Sequence, residues 1–224
     1  MKEETKKELI HGIKEELGEE FEVFSELNKQ KILAKVEYQV INAEKNRIRL
    51  GEMPHEKLLD LAVVYRVLLS EDEENISFAV THSFCETYGI SREELAAAAE
   101  ENMENRGFRI QTMEELLTEI LGMPKEGLKG LIPMYMISNQ NQHNGAAAML
   151  CGRLFETLAV KLETDLYVLP SSIDEIIVIP VIGHDTAELK NIVESINDRE
   201  VPENMVLSDN VYRCSRETGQ LAIA

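Results

Sequence analysis

Apolar residues recur at two different periods along this chain, and the switches between them outline its elements. Near the N-terminus Leu9, Ile13 and Leu17 stand four apart among charged residues, which predicts a helix over Met1–Leu17 that Gly18 ends. Phe21–Asn28 reads as a connector. In Lys31–Asn42 two patterns overlap. Val36, Tyr38 and Val40 alternate as in a strand, whereas Ile32, Val36 and Val40 also fit a helix. We expect a strand or strand-like start here, then a short helix over Ala43–Leu50, broken by Gly51 and Pro54.

The run "LDLAVVYRVLL" is rich in β-branched residues, and "ISFAVTH" resumes the pattern after the acidic "SEDEEN". This predicts an antiparallel hairpin of Leu61–Leu69 with Ile76–His82. The competing reading is a helix across Lys57–Leu69, favoured by the leading "HEKLLDLA". Two helices then carry capping boxes, Ser91-x-x-Glu94 and Thr112-x-x-Glu115, in which the first side chain and the glutamate each satisfy an orphan backbone N–H. The first helix, "REELAAAAEENMEN", stops at Gly107. The second carries Leu116, Leu117, Ile120 and Leu121 and stops at Gly122 and Pro124. Lys125–Gly130, with two glycines, is the best linker.

From Leu131 onward "LIPMYMIS" is a strand, the polar knot Asn139–Asn144 follows, and a helix runs from about Gly145 to Leu162. "DLYVLP" and "EIIVIPVI" are strands joined by "SSID". Asp185-x-x-Glu188 caps a helix with Leu189, Ile192, Val193 and Ile196 on one face. "VYRCS" and "QLAIA" close a hairpin around Glu217-Thr218-Gly219. The order β–α–β–β–α–β–β implies an α+β fold, a mostly antiparallel sheet covered by helices, with a helix-rich N-terminal half. Three regions are expected: an N-terminal arm over residues 1–30, a mixed α+β region over 31–124 and a sheet region over 131–224, or one continuous domain of the latter two.

Composition narrows the function classes. With 224 residues and 44% hydrophobic content, the chain can bury a real core. Its net charge of −18 repels phosphate backbones, and the lysines at 6, 7 and 14 are interleaved with glutamates, so we expect no nucleic-acid partner. No apolar run approaches the roughly 20 residues that span a bilayer, so no membrane association is expected. Cys85, Cys151 and Cys214 are far apart and form no CxxC pair, which points to the reducing cytoplasm and to thiols used as small apolar residues.

Candidate chemistry is sparse. The knot reads first as a strand-to-helix turn in which Asn141 or Asn144 caps the helix and Gly145 with its three alanines permits close packing. A functional reading adds an exposed helix N-terminus that attracts anions or acyl oxygens, with His143 as donor. Asn139, Asn141, His143 and Asn144 are therefore candidate ligand-binding residues. The "PSSIDE" turn supplies Ser171, Ser172, Asp174 and Glu175 as a second candidate rim, although adjacent Asp174 and Glu175 point to opposite faces in a strand and make a poor carboxylate pair. In "THSFCETYG", His82, Cys85 and Glu86 have helix-face spacing, but no fourth zinc ligand lies nearby unless His143 or His184 comes from afar. His184-Asp185 with a distant serine would imitate a hydrolase triad, yet GxSxG is absent, as are HExxH, the P-loop and GxGxxG. No catalytic residue, metal or cofactor is assigned.

"MPHEKLLDLAVVYRVLL", "MYMISNQNQHNGAAAML", "DLYVLPSSIDEIIVIP" and "VLSDNVYRCSRETGQL" occur in that order. The chain resembles, over roughly Lys31–Leu221, a group of uncharacterised bacterial proteins gathered under a domain of unknown function. "LYVLPSSIDEIIVIP" followed by "LSDNVY" is the most specific part. The resemblance implies one fold over most of the chain and no activity, cofactor or catalytic residue. Members usually carry His where this chain has Asp174, and a longer N-terminal region, which implies a shortened form here. The expectation that follows is a cytoplasmic, non-catalytic binding or interaction module with an unknown protein or small-molecule partner. The alternative is a hydrolase acting on a small or peptidic substrate at a cleft between the 139–145 loop and the 170–175 turn.

Overall fold

The computed structural model describes residues 28–69, 76–122, 133–183 and 185–224. The expected helix Met1–Leu17, the acidic loop "SEDEEN", the linker Lys125–Gly130 and His184 lie outside these residues.

The overlapping patterns of Lys31–Asn42 resolve into two elements in series. Helix α1, Lys29–Leu33, begins where the Asn28 side chain accepts the Lys31 N–H at 3.0 Å. Strand β1 follows, Val36–Asn42. The short helix α2 is confined to Arg47–Leu50. Strands β2, His55–Leu58, and β3, Leu61–Leu68, come next. The helical alternative for Lys57–Leu69 is not adopted. Leu59 takes a left-handed conformation (φ 58°) in the turn between the two strands, which a continuing helix does not allow. Strand β4, Ser77–Ala79, pairs antiparallel with β3 in the register Arg66↔Ala79, Val67↔Phe78 and Leu68↔Ser77. The expected second arm of that hairpin is cut short. Thr81 accepts the Phe84 N–H at 3.2 Å and starts helix α3, His82–Tyr88. The four strands form one sheet of order β1-β3-β2, with β4 on β3.

Helix α4, Arg92–Arg106, opens on the expected capping box: Glu94 N–H donates to Ser91 Oγ and Ser91 N–H to Glu94 Oε2. Strand β5, Phe108–Thr112, was not anticipated. Helix α5, Met113–Leu121, starts with the second capping box, on Thr112 and Glu115. The described part of the N-terminal half is therefore not helix-rich, because strands β1–β5 alternate with its helices. Beyond residue 132 the elements are β6 (Tyr135–Asn139), a 3-10 helix (Gly145–Leu150), α6 (Gly152–Leu162), β7 (Leu166–Ser172), β8 (Glu175–Pro180), α7 (Thr186–Glu200), β9 (Tyr212–Cys214) and β10 (Leu221–Ile223). The helix expected over Gly145–Leu162 is thus two helices, separated where Cys151 leaves helical angles (φ −90°, ψ 85°).

The chain divides into two compact units. The first holds the described residues up to Tyr38 with Lys45–Glu56 and Val63–Arg106. Its core joins Ile32 and Val36 to Tyr65, Val67, Phe84 and Leu95, all 5% exposed or less. Asn102 anchors α4 by donating to the carbonyls of Leu33 and Val36.

The second unit holds Gln39–Glu44, Lys57–Ala62 and the described residues of Gly107–Ala224. Its six strands run in the order β10-β9-β7-β8-β6-β5, each pair antiparallel. Strict alternation along β7 and β8 gives both faces of the sheet a covering layer. Leu166, Val168, Ile176 and Val178 face the 3-10 helix and α6 through Ala148, Met149, Phe155 and Leu158. Tyr167, Leu169 and Ile179 face α7 through Leu189 and Val193. Ile192 and Ile196, expected on the same buried stripe of α7, are instead 51% and 46% exposed. The helix buries Asn197 with Leu189 and Val193, so its inner face is narrower than the apolar pattern. Among the described residues no helix is long and apolar enough to cross a membrane.

Candidate functional site

Strand β6 ends at Asn139 and the chain must reverse before the 3-10 helix. The Asn139 side chain does this locally: its Oδ1 accepts the His143 N–H at 3.0 Å and its amide donates to the His143 carbonyl. This reciprocal pair closes a loop whose tip, Gln140–Gln142, is exposed. Gln142 and Asn144 both take left-handed angles, φ 54° and 58°. Asn tolerates that conformation better than most side chains, because its short amide can hydrogen-bond locally.

The expected cap on the following helix is not formed. Asn144 occupies the cap position, but its left-handed backbone aims the side chain elsewhere. Its Oδ1 accepts from Gln39 Nε2 at 2.6 Å, and its N–H donates to Asp174 Oδ1 at 2.7 Å. Nor is the helix N-terminus open to an anion. Gly145–Met149 are buried, and the Ala146 N–H donates to the Ile173 carbonyl at 3.2 Å.

The β7–β8 hairpin meets this loop. Ser138, only 2% exposed, donates from Oγ to the Asp174 carbonyl at 2.6 Å. Asp174 N–H donates to Ser172 Oγ at 3.1 Å, and Ser171 Oγ donates to Glu175 Oε1 at 3.1 Å. His143 Nδ1 stands 3.6 Å from Asp174 Oδ1, with the two side chains 33% and 23% exposed. The knot and the turn, far apart in sequence, are therefore one cluster. Asp174 serves the loop while Glu175 serves Ser171. Asn141 sits at the exposed tip and takes no part in the internal bonding described above.

Sequence reasoning missed two members. Gln39 comes from β1, 105 residues before its partner Asn144, and nothing local marks it. Ser138 lies at the end of an apolar run, and alternation with the buried Ile137 would put it on the opposite face, so its burial follows from tertiary packing and not from the strand period.

In the first unit His82, Cys85 and Glu86 do share α3, and with Pro54, Ile90 and Arg92 they help line an open cavity of about 440 Å³. Burial pushes the Cys85 thiol up, which disfavours the thiolate needed for nucleophilic or metal chemistry. Among the described residues no three His, Cys, Asp or Glu side chains gather as a metal-binding group. Asp185 accepts the Ala187 N–H at 2.7 Å and is a helix cap.

Residues 3–216 match the model of a family of unknown function, DUF5688. No curated protein and no solved structure matches the chain.

Proposed function

The chain belongs to DUF5688, which brings no activity with it, and we propose from the geometry that it is a non-catalytic binding or interaction module. Its contact surface is the rim of the 139–145 loop and the 170–175 turn, comprising Asn139, Asn141, His143, Ser171, Ser172, Asp174 and Glu175, with Asn144, only 1% exposed, supporting it from beneath. The observation that carries this reading is that the cluster's groups are spent on one another. Ser138 donates to the Asp174 carbonyl and Ser171 to Glu175, while Ser172 receives the Asp174 N–H. Nucleophilic catalysis needs a hydroxyl engaged by a base, and none of these three bonds runs to His143. A braced interior with exposed carboxamides and a half-exposed imidazole suits recognition through hydrogen bonds.

The partner is a protein or a small molecule rather than a nucleic acid or a membrane, in keeping with the charge of −18. The proposed location is the cytoplasm.

One observation favours a hydrolase instead. His143 Nδ1 at 3.6 Å from Asp174 Oδ1 resembles the way a carboxylate orients a catalytic imidazole. Ligand-observed NMR against a panel of small polar molecules and short peptides separates the two. Binding that is lost in Asn141→Ala and His143→Ala, with no turnover of ester or peptide substrates, is the expected result. Turnover abolished by His143→Ala would replace the binding module with the hydrolase.

A further inference from the structure

The segment "LSDNVY" has no place in the rim, yet three of its polar side chains converge on a single group. Ser208, Asn210 and Tyr212 stand two apart across a bend at Asp209, where the Asn210 N–H donates to Ser208 Oγ at 3.0 Å. Ser208 Oγ donates to Asp60 Oδ2 at 2.6 Å, Asn210 Nδ2 to the same oxygen at 3.0 Å, and Tyr212 OH to Asp60 Oδ1 at 2.8 Å. Asp60 sits in the β2–β3 turn, about 150 residues earlier, and its carbonyl accepts the Ala43 N–H at 3.3 Å. Further bonds fasten the same segment. Asn42 Nδ2 donates to the Leu207 carbonyl at 2.7 Å, and Asn197 Nδ2 donates to the Ser208 carbonyl and to Asp209 Oδ1.

These bonds hold a stretch that has no ladder of its own. Between Val201 and Val211 the chain is neither helix nor strand, although Val206, Leu207 and Ser208 are buried. Backbone groups in such a stretch need partners from outside it. One of them reaches the rim: the Met205 carbonyl accepts the Ile173 N–H at 3.0 Å, and Ile173 immediately precedes Asp174. Asp60, the irregular segment, Met205 and Ile173 all belong to the second unit.

We propose that Asp60 is a positioning residue for the rim, acting through the 202–211 segment to fix the Ile173–Asp174 turn against the 139–145 loop. The proposal rests on the rim as the contact surface for its functional meaning, but the mechanical link is testable without any ligand. A carboxylate that collects three donors gathers Ser208, Asn210 and Tyr212 at one point, and removing its charge weakens all three bonds together. The turn then keeps its own hairpin bonds but loses the brace behind Ile173.

Residue-resolved hydrogen exchange on the full chain tests this, comparing the native protein with Asp60→Asn and, should that variant not fold, with Tyr212→Phe. The expected result is exchange at the Ile173 and Asn210 amides faster by roughly ten-fold or more, with the Val178 amide in the centre of β8 changed much less and the His143 ring resonances displaced. Val193→Ala, a core change on the opposite face of the sheet, is expected to speed these amides in parallel and to leave His143 in place. Unchanged exchange at Ile173 in the Asp60 variant, or acceleration equal to that at Val178 with His143 undisturbed, would overturn the proposal. A rim that binds nothing while Ile173 responds as expected would sink the binding reading and leave the brace standing.

Discussion

Gly145 packs directly against Ser138. A Cβ built at position 145 falls 2.6 Å from Ser138 Cα, and closer still to Ser138 Oγ and to the Asp174 carbonyl. Two of these three atoms are backbone or bonded directly into it, so the site cannot yield by rotating a side chain. Gly145→Ala is therefore expected to destabilise the second unit by about 1–3 kcal/mol, as overpacking does. The Ser138–Asp174 bond should weaken with it. Urea denaturation checks the first effect, and an unchanged midpoint would mean that the strand and the 3-10 helix are not held as close as described.

Asp174 braces the loop from the other side. Its carboxylate accepts the N–H of Asn144, a residue only 1% exposed. In Asp174→Ala that N–H loses its charged acceptor, which costs on the order of 1–3 kcal/mol. His143→Ala removes a half-exposed ring from the same carboxylate and is expected to shift stability by less than about 0.5 kcal/mol. Thermal unfolding of the two variants checks the contrast. Equal losses would mean that the imidazole, not the backbone bond, holds the loop.

Helix α7 gives a test of its narrow buried face. Leu189 is 7% exposed and packs on Tyr167 and Ile179, whereas Ile192 is 51% exposed. Leu189→Ala is expected to cost about 2–5 kcal/mol. Ile192→Ser should stay within about 0.5 kcal/mol of the native protein if its outer face contacts only solvent. A large loss from Ile192→Ser, measured by the urea midpoint, would show that something covers that face in solution.

Much of the second unit is readable from local pattern. The short continuous apolar runs in "LYVL" and "EIIVI" mark two strands with both faces covered, and "SSID" marks their turn, because run length and turn chemistry are short-range properties. The capping boxes at Ser91 and Thr112 are legible for the same reason. Strand β5 is not. "FRIQT" is short and polar, and it becomes a strand by pairing with β6 at the edge of the sheet, in the register Phe108↔Asn139 to Thr112↔Tyr135. The stripe on α7 misleads because Asn197 is buried for its bonds to the 208–209 segment, while Ile192 faces outward. At the rim, the sequence suggests two turns that meet. The partners that define the meeting, Gln39 to Asn144 and Asp174 to the Asn144 N–H, are 105 and 30 residues apart and follow from tertiary packing alone.

Asp60 makes acid stability the most direct probe of the LSDNVY segment. Burial alone would raise its pKa, but the hydrogen bonds from Ser208, Tyr212 and Asn210 outweigh burial and hold the carboxyl below its ordinary value. A group whose folded pKa lies below its unfolded value contributes stability above the unfolded pKa, about 3.9 for Asp, and loses it as pH falls through the folded pKa. Asp60→Asn has no such carboxyl to protonate. The difference in urea midpoint between the native protein and Asp60→Asn is therefore expected to be largest above about pH 5 and to shrink steadily below about pH 4. Tyr212→Phe, which removes one of the three donors, should show the same trend with a smaller amplitude. A gap that held constant across this range would mean that the neutral acid satisfies Ser208, Asn210 and Tyr212 as well as the carboxylate does, and that charge has no part in fastening the segment.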